Sequence, residues 1–233
     1  MSFIIFQNSK QGLCHQKTNT PNQDAVFSCK KNEIGCIALA DGAGSRQYAD
    51  IGAKCASQIA ANFTAEHFYT LLSSDIEISK KLVLDAVLVE LKRVAETNLH
   101  AVKEYASTLL VAATDKKRYV VIHLGDGTVF CIRPNGWNVL SYPFNGEFLY
   151  QTCLTTSCHA EQQMQIKCGL CDNITGFALA SDGILPLVFK SHYQMIRQMP
   201  LQEAFCEISQ METSDDASYI TIYNREDGMN DEQ

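Results

Sequence analysis

The stretch Cys36-Ile37-Ala38-Leu39-Ala40-Asp41-Gly42-Ala43-Gly44-Ser45 decides the fold of this chain. Its uncharged apolar run stops at an aspartate, which is followed by a glycine-rich turn. A run this short, bounded by turn residues, is typical of a buried strand rather than of a helix. We therefore expect Asp41 to stand at the end of a central strand.

Aspartates stand next to other apolar runs in the same way. Asp126 and Asp182 each end such a run and are each followed by glycine, and Asp215 stands just before the apolar run 218–223. Carboxylates beside buried strands are costly to desolvate unless they are paired or bind a metal. No arginine lies within three residues of any of them, so pairing with local cations does not explain the pattern.

A hard divalent cation explains these acidic strand ends better. Mg²⁺, Mn²⁺ and Ca²⁺ prefer carboxylate, carbonyl and water oxygens as ligands. The alternative is that each Asp-Gly pair simply marks a turn, as such pairs often do. Repetition of the pattern on uniformly apolar strands favours the metal hypothesis.

Length and charge restrict the class of protein. The chain has 233 residues and a formal net charge of −7, which argues against nucleic acid or an anionic membrane as the main partner. Residues 1–6 are too few and lack the basic start of a signal peptide, and no apolar run reaches transmembrane length. We expect a cytoplasmic protein with one domain over residues 1–224 and a mobile acidic tail over 225–233.

The ten cysteines have two interpretations. Most occupy apolar positions, which is typical of reduced thiols in a core. The set Cys153, Cys158, His159, Cys168 and Cys171 includes one Cys-x-x-Cys spacing and offers soft ligands, so a zinc site is the alternative.

The order of helical and extended patterns predicts an α+β protein built on antiparallel sheets. A polar loop containing His15 is expected before residue 24, and Ser45 is placed to cap the first long helix. The second long helix is expected over 77–102, and a shorter one over 201–210. Strands are expected at 2–7, 25–29, 36–41, 108–113, 119–125, 128–132, 137–141, 148–156, 163–168, 177–181 and 218–223.

Six motifs, in this order, resemble the metal-dependent protein phosphatase family of type 2C, in its short bacterial branch. They are Asn22-Gln23-Asp24, Ala40-Asp41-Gly42-Ala43-Gly44-Ser45, Ala106-Ser107-Thr108-Leu109, Gly125-Asp126-Gly127, Ala180-Ser181-Asp182-Gly183-Ile184 and Asp215-Asp216-Ala217-Ser218. The resemblance implies an α-β-β-α sandwich, in which helix pairs flank two antiparallel sheets. It also implies phosphoserine and phosphothreonine proteins as substrates, with a serine/threonine kinase as the opposing partner.

The resemblance further implies a centre of two or three Mg²⁺ or Mn²⁺ ions at one edge of the sheets. Asp41 would bridge two ions, and the Gly42 carbonyl would bind the second of them. Asp182 and Asp215 would complete the shell of the first ion, and Asp126 matches a residue linked to a third. Asp24 would support the centre through water or hydrogen bonds. Two ions sharing a water lower its pKa and activate it for attack on a phosphomonoester.

Three positions depart from the family pattern. Gln23 stands where better-known members have glutamate, Ala43 replaces a histidine, and Asn19 stands where a phosphate-binding arginine is expected. His15 is the candidate for proton transfer or phosphate contact, because its pKa range suits both tasks. Arg46 is the candidate for a second phosphate contact. The plain alternatives are a loop histidine and a solvated residue at the start of a helix.

The sequence therefore predicts an active metal-dependent phosphoserine/phosphothreonine phosphatase. Because of the three departures, a non-catalytic phosphoprotein-binding regulatory module of the same fold is an alternative. A phosphatase of small metabolites is another.

Overall fold

The computed structural model describes residues 2–142, 152–190, 194–195, 205 and 210–224. Its strands are β1 (Phe3–Lys10), β2 (Asp24–Lys31), β3 (Ile34–Asp41), β4 (Leu109–Thr114), β5 (Arg118–Leu124), β6 (Thr128–Arg133), β7 (Gly136–Ser141), β8 (Gln165–Leu170), β9 (Gly176–Ala180), β10 (Phe189–Lys190), β11 (Gln194–Met195) and β12 (Ala217–Asn224). Its α-helices are α1 (Leu13–Thr18), α2 (Ala49–Glu66), α3 (Phe68–Ser73), α4 (Ile76–Thr97), α5 (Ala160–Gln163) and α6 (Leu185–Val188), and a 3₁₀ helix covers Val102–Tyr105.

Ten of these strands form two five-stranded antiparallel sheets. The first sheet has the order β1-β12-β9-β6-β7, and the second has the order β2-β3-β4-β5-β8. The short strands β10 and β11 pair only with each other. None of the described helices is long and apolar enough to cross a membrane.

Apolar side chains fill the spaces between four layers. Ile37 and Leu39 of the second sheet pack with Phe177 and Ile220 of the first, so the two sheets face each other. Helices α2 and α4 cover the outer face of the second sheet. Residues of α6, together with Phe205, pack on the outer face of the first sheet. This arrangement confirms the expected α-β-β-α sandwich.

The two central hairpins confirm the sequence prediction closely. Strands β4 and β5 pair from Leu109↔Leu124 to Thr114↔Tyr119, and β6 pairs with β7. Both hairpins are local, so alternation and turn residues are enough to find them. Strand β3 also ends at Asp41, as expected.

Four expectations about local structure were wrong. The region around His15 is helix α1 rather than a loop, because the carbonyls of Thr213 and Ser214 accept hydrogen bonds from the N–H groups of Leu13 and Cys14. Ser45 does not cap α2, which begins at Ala49 with no capping side chain. Helix α4 ends at Thr97 instead of continuing to residue 102.

The fourth correction concerns the strand expected at 148–156. Its described part, 152–156, is not a strand, because its backbone bonds to a loop: the N–H of Thr155 donates to the carbonyl of Ser107 at 2.8 Å. Residues 148–151 and the expected tail 225–233 lie outside the described residues. The same holds for the expected helix at 201–210, apart from residues 205 and 210.

Candidate metal centre

Three of the predicted aspartates meet at one edge of the sandwich. Asp41, Asp126 and Asp182 each offer a carboxylate oxygen, and these oxygens all lie within 4.8 Å of one another. Asp41 ends β3, Asp126 lies between β5 and β6, and Asp182 follows β9. The group therefore draws on both sheets, at the edge where their strand ends converge.

Asp24 supports this group from the neighbouring strand. It lies directly opposite Asp41 in the β2–β3 ladder and is buried. The hydroxyl of Ser181 donates to its Oδ2 at 2.8 Å. This bond ties Asp24 to the turn that carries Asp182.

Burial and mutual repulsion raise the pKa values of these carboxyl groups. Burial is the largest cause for Asp41, followed by the charges of Asp24, Asp182 and Asp126. Burial also raises the pKa of Asp182, and the charges of Asp126 and Asp215 raise it further. The carboxyl groups resist ionising together, and a bound divalent cation would reverse that preference.

The donor set fits a hard cation. Among the described residues, the buried oxygens Gln23 Oε1, Asp24 Oδ1 and Asp182 Oδ1 have no hydrogen-bond partner. Buried oxygens without a partner are rare in folded proteins and need an explanation such as an ion or a water. Oxygen-only ligands are those that Mg²⁺ and Mn²⁺ prefer.

Hydrogen bonds hold the backbone around Asp41 and Gly42. The Thr108 hydroxyl accepts from the N–H of Asp41 at 2.9 Å, and the Asp41 carbonyl accepts from the N–H of Thr108 at 2.8 Å. A Cβ at Gly42 would lie 2.7 Å from the carbonyl oxygen of Ala49. Glycine is therefore required where the chain passes close to the start of α2.

Asp215 belongs to a second group rather than to the first. His15, Asp215 and Asp216 each offer a ligand atom within 4.8 Å of the others. Asp215 is exposed, and its charge acts on Asp182. The two groups are thus close enough to interact electrostatically, although their ligand atoms do not form a single cluster.

Thr152 is a site residue that sequence reasoning missed. Its hydroxyl donates to Oδ2 of Asp126 at 2.5 Å. No sequence signal marks this contact, because Thr152 lies 26 residues further along the chain, in a stretch that resembles a strand.

Arg46 lies in the glycine-rich turn after Asp41 but outside both acidic groups. Its Nη1 is 4.0 Å from Oε1 of Glu104, and its side chain is 36% exposed. The ion pair with Glu104 is therefore a long one, and the Nε atom of Arg46 is buried without a hydrogen-bond partner among the described residues.

The described cysteines do not form a zinc site. All nine are free thiols, and no metal-competent group among the described residues contains a cysteine. The Cys168 thiol lies 4.0 Å from the carbonyl of Leu71, and Cys171 lies 3.5 Å from the hydroxyl of Thr114. The expected core placement holds only for Cys36 and Cys131, which are buried, whereas Cys14, Cys158 and Cys168 are exposed.

A family model described as protein phosphatase 2C matches residues 11–220, which is most of the chain. The chain therefore belongs to the protein phosphatase 2C family. Among curated proteins, none matches this chain.

Solved structures share this fold. A bacterial serine phosphatase is 14% identical, with a TM-score of 0.69, covering 98% of this chain and 100% of its own. The serine/threonine phosphatase Stp1 from Staphylococcus aureus is 14% identical, with a TM-score of 0.65, and the match covers 97% of this chain and 96% of Stp1. PppA, a key regulatory component of T6SS in Pseudomonas aeruginosa, is 15% identical, with a TM-score of 0.64, and the match covers 96% of this chain and 98% of PppA.

Proposed function

We propose that this chain is a phosphoserine/phosphothreonine protein phosphatase that depends on Mg²⁺ or Mn²⁺. One observation carries the proposal: Asp41, Asp126 and Asp182 present carboxylate oxygens within 4.8 Å of one another in a chain of the protein phosphatase 2C family. A phosphoprotein-binding module without catalysis has no need to gather carboxylates whose repulsion must be offset.

The family motifs suggest which residues would hold two or three ions. Asp41 would bridge two ions, with the Gly42 carbonyl on the second. Asp182 and Asp215 would hold the first ion, and Asp126 would hold a third. Asp24, opposite Asp41, would orient the centre through hydrogen bonds. When bound, such ions lower the pKa of a coordinated water and offset charge on the phosphoryl oxygens.

His15 is suited to act on the substrate from the edge of this centre. Its Nδ1 lies 2.8 Å from Oδ2 of Asp216. Because a carboxylate oxygen accepts hydrogen bonds, Nδ1 of His15 carries the proton in this contact. The ring therefore has Nε2 available to exchange a proton with the leaving group or to contact the phosphate. Arg46, in a long ion pair with Glu104, would supply a second phosphate contact.

The opposing partner in this proposal is a serine/threonine kinase that phosphorylates the same protein in the cytoplasm. PppA, which shares the fold, is a key regulatory component of T6SS, and this is compatible with a role in reversible phosphorylation. The net charge of −7 argues against nucleic acid or an anionic membrane as the main partner.

A substrate screen tests the proposal against its two alternatives. Wild-type protein and the variant Asp41→Asn would be assayed on phosphopeptides and on small phosphate metabolites, with Mn²⁺ or with a chelator. We expect hydrolysis of phosphopeptides only with Mn²⁺ and only by the wild type. Phosphopeptide binding without hydrolysis would establish the regulatory module instead, and turnover confined to metabolites would establish the metabolite phosphatase.

A further inference from the structure

Asp216 is a buried carboxylate that neither the resemblance nor the proposed mechanism uses as a ligand. Its side chain is 3% exposed. Its Oδ1 accepts from the N–H of Gly12 at 2.8 Å, and its Oδ2 lies 2.6 Å from the N–H of Gln23. The His15 ring adds a third contact at 2.8 Å. A buried carboxylate with three donors has a fixed position.

These contacts attach helix α1 to the segment that carries Asp215. The N–H groups of Leu13 and Cys14 donate to the carbonyls of Thr213 and Ser214, at 2.9 Å and 3.0 Å. Helix α1 has no buried residue of its own. Its position is therefore set by these hydrogen bonds rather than by core packing.

Two glycines enclose the backbone of Asp215 and Asp216. A Cβ at Gly12 would lie 2.2 Å from the carbonyl carbon of Asp215, and a Cβ at Gly183 would lie 2.0 Å from the carbonyl oxygen of Asp216. The N–H of Asp216 also donates to Oδ1 of Asp215 at 2.8 Å. Any displacement of Asp216 must therefore move the Asp215 carboxylate.

We propose that Asp216 is a positioning residue, which through Gly12, Gln23 and His15 holds the Asp215 carboxylate and the His15 ring beside the three-aspartate group. The inference rests on the proposed function, because Asp215 matters only if a metal binds. It adds a specific claim: metal affinity at Asp215 depends on a neighbour whose own oxygens already contact Gly12, Gln23 and His15.

The test counts bound Mn²⁺ by electron paramagnetic resonance during titration of metal-free protein. Asp216→Asn replaces one acceptor oxygen with an NH2 group, which cannot accept a hydrogen bond. We expect this variant to lose about tenfold in Mn²⁺ affinity. The affected site should be the one that Asp215→Asn also weakens. Gly12→Ala displaces the Asp215 backbone and should weaken the same site. Because Gly12 is buried, circular dichroism spectra establish that both variants are folded before their Mn²⁺ affinities are compared.

Asp172→Asn is the matched control, since Asp172 is an exposed loop carboxylate and should leave Mn²⁺ binding unchanged. Thermal unfolding of the metal-free variants separates positioning from general stability. Gly12→Ala with wild-type Mn²⁺ affinity would overturn the inference, even if its melting temperature fell. Wild-type protein that binds no Mn²⁺ would overturn the proposed function and this inference together.

Discussion

Asp24 and Asp41 lie directly opposite each other in the β2–β3 ladder, so two carboxyl groups share one end of the second sheet. Like charges that face each other across a ladder are destabilising. The Ser181 hydroxyl donates a hydrogen bond to Oδ2 of Asp24. The other carboxyl oxygen of Asp24, Oδ1, is buried without a partner among the described residues. The pair is therefore a source of repulsion that a bound cation relieves.

Replacing Asp41 should stabilise the metal-free protein while abolishing catalysis. Asp41→Asn replaces a carboxyl group, whose ionisation is opposed by burial and by the neighbouring aspartates, with a neutral amide, and we expect a gain of up to about 1 kcal/mol in the free energy of unfolding. For a chain of this length, that gain corresponds to a rise of about 2–4 °C in melting temperature. Thermal unfolding in the presence of chelator measures it.

The pH dependence of this gain has a defined sign. Burial and neighbouring charges raise the pKa of Asp41, so the wild-type carboxyl is protonated at low pH and becomes costly as pH rises. The advantage of Asp41→Asn in the free energy of unfolding should therefore grow with pH.

Saturating Mn²⁺ should raise the melting temperature of the wild type but not of the variant. A metal-free variant less stable than the wild type at neutral pH would contradict the prediction.

The sequence predicts the fold and the first acidic group better than the second group. Asp41 ends an apolar strand, and Asp126 and Asp182 each follow one, so the apolar runs alone place all three at sheet edges. The bond between His15 and Asp216 joins residues 201 positions apart, and no local pattern encodes it. Helix α1 was missed for the same reason, because carbonyls at 213 and 214 complete its first turn.

His15→Ala should slow phosphopeptide hydrolysis more than hydrolysis of p-nitrophenyl phosphate. A serine alkoxide leaving group needs a proton, whereas p-nitrophenolate does not, and positioned proton transfer contributes roughly a hundredfold or more to the rate. Turnover of both substrates, measured with saturating Mn²⁺, checks this. His159→Ala is the control, since that exposed ring bonds only Gln162 in the described chain. Equal losses on both substrates would argue against a proton donor.

Arg46→Ala should raise KM for phosphopeptides about tenfold with little change in kcat. A charge-assisted hydrogen bond to phosphate contributes about 1.5–3 kcal/mol, and its loss weakens ground-state and transition-state binding together. Steady-state kinetics at fixed Mn²⁺ measures the two constants. Arg133→Ala is the control, because its exposed side chain bonds the carbonyl of Asp172. An unchanged KM for the Arg46 variant would remove this residue from the substrate site.

His123 should make the fold sensitive to mild acid. Its Nδ1 lies 2.8 Å from the Ser141 hydroxyl and its Nε2 lies 3.2 Å from the carbonyl of Gly125, so the buried ring is neutral with both nitrogens bonded. Burial lowers its pKa to about 4, against an ordinary value of about 6.5. As pH falls, His123 is therefore protonated in the unfolded chain at a higher pH than in the folded protein.

The stability that His123 contributes is complete above pH ~6.5 and is lost as pH falls toward 4, by about 3 kcal/mol in all. Urea unfolding of the metal-free protein at a series of pH values measures this loss. His123→Asn should lower stability at neutral pH and flatten its decline in acid, since asparagine has no proton to gain. His159→Asn should decline as the wild type does. If the curves of His123→Asn and the wild type run parallel from pH 7 to 4, the ring is not the group that titrates.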